Sequence, residues 1–398
     1  MHNLTSGSTS ERSRLYNDRV IIQCIRHWRE VSRAELARLT SLSAQTVSVI
    51  VSRLLKGGLI RESGRRYGAR GQPSVKLTLN PQGAYAVGIS VDRDRIATAV
   101  LDFCGNMLET RGHDLSWPSL ARAVDTVAGD VGYYLGNPAV QADRVKGLGV
   151  ALPSNMGAWQ EELGFNPDAE RNWGSHELHG ALRERTGLPV WIENDGTAAA
   201  LGERFFGVGQ RFENFVYIYL GLALGGGVII GGECLRGDHG NAADLGALPI
   251  TDPTGQPCGL LMGRVSLAAL YRQLRRQGHP CAHPRDVDAV HATDPEPVNQ
   301  WLSMAGDALS APLLSLIATL DPGALVFGGR LSAPLYERLI ATAAERVKRY
   351  LPKGERLPEF LRSAVGADVG VVGAGILPLY ESFAPLRDVL LVNRGTGP

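Results

Sequence analysis

Residues 188–203 read LPVWIENDGTAAALGE. An apolar run ends in the polar pair Asn194-Asp195, and small residues at helical density follow with no connecting loop. A strand that passes directly into a helix, with a carboxamide and a carboxylate at the junction, is a unit of α/β folds whose ligand chemistry sits at strand ends. On residues alone three roles are open to Asp195: a general base, a ligand clamp, or a cap for the N–H groups of the helix TAAALGERFF.

The alternation continues on both sides. AYAVGISVDRDRIATAVLDFCGNMLE (84–109) predicts two or three strands joined by turns, residues 118–136 a helix, and VKGLGVALPSN (145–155) a buried strand entering a loop. NFVYIYLGLALGGGVIIGGECLRG (214–237) predicts a hairpin with glycines at its turn. LDPGALVFGGRLS (320–332) predicts a strand, Gly-Gly and a helix start, and GADVGVVGAGILPLY (366–380) a glycine-rich helix. Three glycine groups, Gly225–Gly227, Gly328–Gly329 and Gly373 with Gly375, are candidate backbone cradles for phosphate, although tight turns and close packing also select glycine.

At 398 residues, 44% of them hydrophobic and 20% charged, the chain has the composition of a globular protein of two or three domains. No run of about 18 apolar residues predicts a membrane span, and the polar start MHNLTSGSTSERSR has no signal-peptide core. Five cysteines without C-x-x-C spacing point to reduced thiols in a cytoplasm. Charge is unevenly spread: residues 1–80 hold 14 Lys/Arg and 5 Asp/Glu, while the rest hold 27 and 35. A basic front joined to an acidic body implies that the front meets a polyanion.

In that front, NDRVIIQCIRHW (17–28) has the density of a packed helix, and SRAELARLT (32–40) opens with the capping box Ser32/Glu35. After SLS, AQTVSVIVSRLLKGGLI (44–60) turns Val47, Ile50, Val51, Leu54 and Leu55 inward and Gln45, Thr46, Ser48 and Ser52 outward. Gly57-Gly58 stops the helix. LIRESGRRYGARGQPSVKLTLNP (59–81) reads strand, basic glycine-rich loop, strand. Together these form a winged helix-turn-helix. Gln45, Thr46 and Ser48 are the expected base readers, Arg53 and Arg66 phosphate contacts, and Arg65, Arg70, Gln72 and Pro73 parts of the wing. The competing reading is a three-helix module that binds a protein.

These segments resemble the ROK family of repressors and sugar kinases, in its DNA-binding regulator branch, from about Asn17 to Tyr380. SRAELARLTSLSAQTVSVIVSRLLKGGLI resembles the regulators' winged helix. LPVWIENDGTAAALGE, GGGVIIGGECLRGDHGNAADLG and LDPGALVFGGRLS resemble the family's sugar and nucleotide segments. The resemblance implies an α/β fold: a winged helix-turn-helix followed by a two-lobed actin-like, hexokinase-like (ribonuclease H-like) body. The expected layout is a tail over 1–16, the winged helix over 17–80, one lobe over 81–202 and a second over 203–375, with a helix at 376–392 returning to the first.

The family's kinases carry D-x-G-G-T in a first phosphate loop; here Ser90-Val91-Asp92-Arg93-Asp94 stands there, with carboxylates that would repel ATP. In the second loop, Leu222 replaces a hydroxyl within Gly221–Gly227. Of the family's zinc ligands only Cys258 remains, Ala247 standing in place of histidine, so no metal is expected. His176/His179 and Cys281/His283 read as surface features. The resemblance assigns Asn194 and Asp195 to sugar hydroxyls, Asp195 being the base in kinases. It puts Asp244 in place of a family Glu, and Pro153, Ser154, Asn155, Asn166 and Asp168 along the same cleft. With both phosphate loops altered, Asp195 reads as a clamp. The expected protein is a cytoplasmic regulator, a repressor, without cofactor or enzymatic activity. It binds a palindromic double-stranded operator as a homodimer or homotetramer and responds to a carbohydrate effector. The alternatives are an active sugar kinase, and a regulator with a vestigial cleft controlled by a protein partner.

Overall fold

Ser32 fixes the first turn of the front module's second helix, as its sequence predicts. Its hydroxyl accepts from the Glu35 N–H while the Glu35 carboxylate accepts from the Ser32 N–H at 2.7 Å. Lys76 holds the same carboxylate at 2.6 Å, and these bonds pull the Glu35 pKa down to about 2. A computed structural model describes residues 10–66, 74–154, 156, 173–251, 254–350, 354 and 356–385. Its head comprises α1 (Ser10–Trp28), β1 (Val31–Ser32), α2 (Arg33–Thr40), α3 (Ala44–Lys56), β2 (Ile60–Arg66) and β3 (Ser74–Leu79). Helix α3 ends at the glycine pair, where Gly58 takes φ +70°. Strands β2 and β3 pair antiparallel as the wing, and β1 adds on the far edge of β3. The expected tail over 1–16 is corrected in part: α1 begins at Ser10, so residues 10–16 are helical.

The body contains two sheets with one plan. The first uses β4 (Tyr85–Val91), β5 (Arg95–Asp102), β6 (Met107–Asp114), β7 (Val145–Leu152) and β8 (Val190–Asn194), with α4 (Leu120–Leu135) and α5 (Ser175–Thr186) between strands. Its order is β6-β5-β4-β7-β8, antiparallel across the first three and parallel across the rest. Helix α6 (Asp195–Phe206) leads to the second sheet, built from β9 (Phe215–Leu220), β10 (Leu224–Ile230), β11 (Glu233–Cys234), β14 (Ala324–Gly329) and β15 (Glu359–Arg362). Its order, β11-β10-β9-β14-β15, repeats the same antiparallel-then-parallel pattern. This duplication is the two-lobed actin-like body that the family resemblance implies.

Between β11 and β14 lie the hairpin β12 (Pro249–Thr251)/β13 (Pro257–Leu260), α7 (Leu267–Arg276), α8 (Pro284–Thr293) and α9 (Glu296–Leu320); α10 (Ala333–Lys348) follows β14. Helix α9 is long and apolar enough, by length and composition, to cross a membrane. In the fold, its Trp301, Leu302, Leu309 and Leu313 enter the core of the second lobe with residues of α7 and α10.

The last helix, α11 (Val369–Phe383), corrects the expected span 376–392: it starts at Val369, and residues 386–392 lie outside the described residues. It returns to the first sheet already from Val371, whose carbonyl lies against Gly88 of β4, while the Ala374 carbonyl lies against Gly149 of β7. Its end meets the head. Leu379 and Phe383 share one apolar cluster with Ile21, Ile22 and Ile25 of α1 and with Phe103. The Phe103 and Phe383 rings are 4.6 Å apart, and Arg19 of α1 donates to the Ala384 carbonyl at 2.9 Å.

Candidate functional site

The end of β8 and the start of α6 place Asn194 and Asp195 at the mouth of a cleft between the lobes. Asn194 is the N-cap: its side-chain oxygen accepts the Gly196 N–H at 3.0 Å, and Asp195 Oδ1 lies 2.8 Å from the same nitrogen. The cap orients the rest of the Asn194 carboxamide, whose Nδ2 donates to Ser154 Oγ at 3.0 Å. Ser154 in turn donates to Asn241 Oδ1 at 2.6 Å, and Asn241 Nδ2 lies 3.3 Å from Asp244 Oδ2. A chain of directed hydrogen bonds therefore crosses from the first lobe to the second, each link fixing the amide orientation of the next.

These side chains line a cavity of about 270 Å³, which Arg93, Pro153, Leu224, Gly225 and Met262 also border. Ser154, Asn194, Asp195 and Asp244 are thus brought together; Asn155, Asn166 and Asp168 lie outside the described residues. Sequence reading missed Asn241 and Arg93. Asn241 stands three residues before Asp244 in GDHGNAAD, and the left-handed Ala243 (φ +65°) turns that loop toward the cleft. Burial, and then the neighbouring Asp92, push the Asp195 carboxyl up to about 6, against the Gly196 N–H and the Arg93 guanidinium.

Asp195 therefore gains its charge near pH 6. A carboxyl whose folded-state pKa lies above its unfolded value is deprotonated more easily in the unfolded chain. Stability should thus fall as pH rises from the usual carboxylate range through about 6, and Asp195→Asn should remove that part of the curve. The expected gain for the variant at pH 7.5 is on the order of 2 kcal/mol. Urea midpoints of both proteins at pH 5 and 7.5 test it, and equal pH slopes would refute it.

A second inter-lobe cavity, of about 320 Å³, opens beside the β4–β5 turn. Arg330, after β14, reaches across it to Asp94 Oδ1 at 2.6 Å and Asp92 Oδ2 at 3.5 Å. A third bridge joins Arg236 Nε to Glu193 Oε2 at 2.6 Å.

The glycine groups serve packing more than ligands. Gly226 and Gly227 lie within β10, where a Cβ would strike Leu245 and Gly196 respectively, and Gly373 and Gly375 lie inside α11. Gly328, within β14, lies against the Tyr217 hydroxyl, which an added Cβ would strike. Gly225 alone borders the first cavity. Cys281 is buried rather than superficial, which corrects that expectation. Among the described residues no three His, Cys, Asp or Glu side chains converge as a metal site. With Cys258 exposed on β13, the residues present do not fit the family's tetrahedral zinc.

On the head, Gln45 and Ser48 are exposed on α3, while Thr46 is half-buried with its hydroxyl tied to Ser43 Oγ at 2.8 Å. Arg53 pairs with Asp18 of α1 through two bonds, one of them 3.0 Å, and its side chain remains 37% exposed. Arg65 and Arg66 fall on β2; Arg70, Gln72 and Pro73 lie outside the described residues.

Fold and cleft define a class: a winged helix-turn-helix joined to a two-lobed actin-like body. The ROK family profile matches residues 86–380, and a winged helix-turn-helix DNA-binding profile matches 14–61. The chain belongs to the ROK family. It is 31% identical to the uncharacterized protein y4fQ of Sinorhizobium fredii over 92% of this chain and 91% of that one. It is 26% identical to the xylose repressor of Bacillus spizizenii, over 90% and 93%. Among solved structures it superposes on a ROK family transcriptional regulator, a homologue of the E. coli MLC protein. The TM-score is 0.72 at 23% identity, covering 95% of this chain and 99% of that one, a likeness of fold.

Proposed function

We propose that the protein is a sugar-responsive, sequence-specific repressor: the winged helix binds an operator, and a carbohydrate in the Asn194–Asp244 cleft sets its affinity. The observation that carries this reading is the join. Helix α6, which starts at Asp195, packs on α11, and the end of α11 shares an apolar cluster with α1 of the head. A ligand that changes the lobes' relation would act on both ends of α11, provided that it binds the two arrangements with different affinity. Carboxylates and carboxamides suit a polyol, pairing several hydroxyls at fixed angles. In the cytoplasm a symmetric dimer of such heads would take a palindromic site.

The cleft reads as a binding site rather than a phosphotransfer site. Where the kinases' first loop would meet phosphate, Asp92 and Asp94 are paired with Arg330. Leu222 of the second loop is buried in the core of the second lobe. Catalysis of phosphoryl transfer is mostly positioning and charge stabilisation, and the two loops that would supply them are altered in this sequence.

The test is fluorescence anisotropy on the gene's upstream DNA at fixed salt, with and without a panel of sugars, D-xylose first because of the repressor relatives. Specific binding that one sugar shifts by tenfold or more is the expected result, with no ATP turnover in the presence of that sugar. Binding that no sugar shifts would leave the cleft to a protein partner, and ATP turnover would restore the kinase reading.

A further inference from the structure

Helix α3 presents Gln45, Ser48, Val49 and Ser52 to solvent. Val49 is 57% exposed, although Val47, Ile50 and Val51 around it are buried. The two serine hydroxyls are already committed as donors, Ser48 to the Ala44 carbonyl and Ser52 to the Ser48 carbonyl, each at 2.9 Å. Toward a ligand they offer lone pairs. Gln45 offers a carboxamide with a donor and an acceptor, and Val49 offers two methyl groups.

One helical turn separates Gln45 from Val49, about 6 Å along the axis. The base-pair rise is about 3.4 Å, so the two side chains span roughly two steps of a duplex. In the major groove a glutamine matches adenine N6 and N7, and an apolar side chain matches the thymine 5-methyl group. A lone valine among polar residues is too small a patch for a protein partner, and the first 80 residues carry 14 basic against 5 acidic side chains.

We infer that α3 reads an A·T-containing step, with Gln45 on an adenine and the Val49 methyl groups on a thymine methyl one or two base pairs away. This rests on the DNA-binding reading above and names the base class it selects. Val49 is then a specificity-determining residue that the fold does not otherwise use.

The full-length protein is used to select duplexes from a random-sequence library. The best duplex is resynthesised with deoxyuridine for thymidine at one position at a time, which removes only the methyl group. At fixed salt, one thymine in each half-site should respond with roughly 3- to 10-fold weaker binding. Val49→Ala should lose a similar factor on the thymine duplex and nothing further on the deoxyuridine duplex. Val49→Thr, of nearly the same shape, should fall between. Because Val49 is exposed, both variants should melt with the wild type, which separates a lost contact from a lost fold. The inference is overturned if no thymine responds, or if Val49→Ala keeps the wild-type sensitivity to the same deoxyuridine. A selected duplex that ignores deoxyuridine removes Val49 from base reading and leaves the repressor reading standing. Failure to select any duplex removes both.

Discussion

Gly373→Ala should cost about 4 kcal/mol or more, at the upper end of what a single overpacked position does. The added methyl would sit 1.8 Å from the Ala198 carbonyl oxygen and 2.4 Å from its carbon, both backbone atoms of α6. Helix α11 cannot retreat. On its other side the Ala374 carbonyl already lies 1.8 Å from where a Gly149 Cβ would stand, and the Val371 carbonyl 2.1 Å from a Gly88 Cβ. Three glycines on three elements thus let α11 lie between α6 and the first sheet at backbone contact. A matched control is Gly129→Ala in α4, where nothing lies within 4 Å of the added Cβ. There alanine should stabilise by about 0.5–1 kcal/mol, because glycine loses more chain entropy on entering a helix. Urea titration of both variants decides the point. If Gly373→Ala unfolds with the wild type, the close approach of α11 to α6 is wrong.

That glycine also marks where sequence reading ends. The capping box, the Gly57-Gly58 stop, the wing strands and the strand-to-helix junction at Asn194-Asp195 were legible because each is a signal within a few residues. The role of a glycine is set by what approaches it from elsewhere, so Gly373 and Gly375 could read as a phosphate cradle until α6 was placed against the first and β4 and β5 against the second. The partners of Arg53 and Arg330 have the same character: Asp18 and Asp94 are remote in sequence and meet them only in the fold. Val49 was hidden differently. In VSVIV four of the five residues are apolar, and the outward face named from the sequence held only polar residues. The start of α1 was missed because SERSRLYNDR offers few apolar positions to reveal a period.

Arg330→Met should destabilise the chain by about 3–5 kcal/mol at pH 7.5, because removing one member of a buried ion cluster strands the others. Methionine keeps an apolar stem of similar reach, so the loss measures charge more than packing. Without the guanidinium, Asp92 and Asp94 face one another from a single turn, with Arg93 3.9 Å from Asp92. Burial and Asp92 already raise the Asp94 pKa, against the pull of Arg330, and the variant should raise it further. The sign of the pH effect follows. A carboxyl raised above its unfolded value makes stability fall as pH rises through the window between the two, so the variant should lose most at pH 7.5 and recover toward pH 5. Adding Asp94→Asn should restore much of the loss at pH 7.5 by leaving one carboxylate where two stood. A loss equal at both pH values, or one that Asp94→Asn deepens, would show that Arg330 acts through packing. The pair also ties the lobes together at the second cavity, in addition to the Ser154–Asn241 link at the first. If lobe arrangement sets the position of α11, Arg330→Met should change operator affinity in the absence of any sugar, although neither α3 nor the wing has been touched. An unchanged affinity in a folded variant would mean that this bridge holds the body together without governing the head.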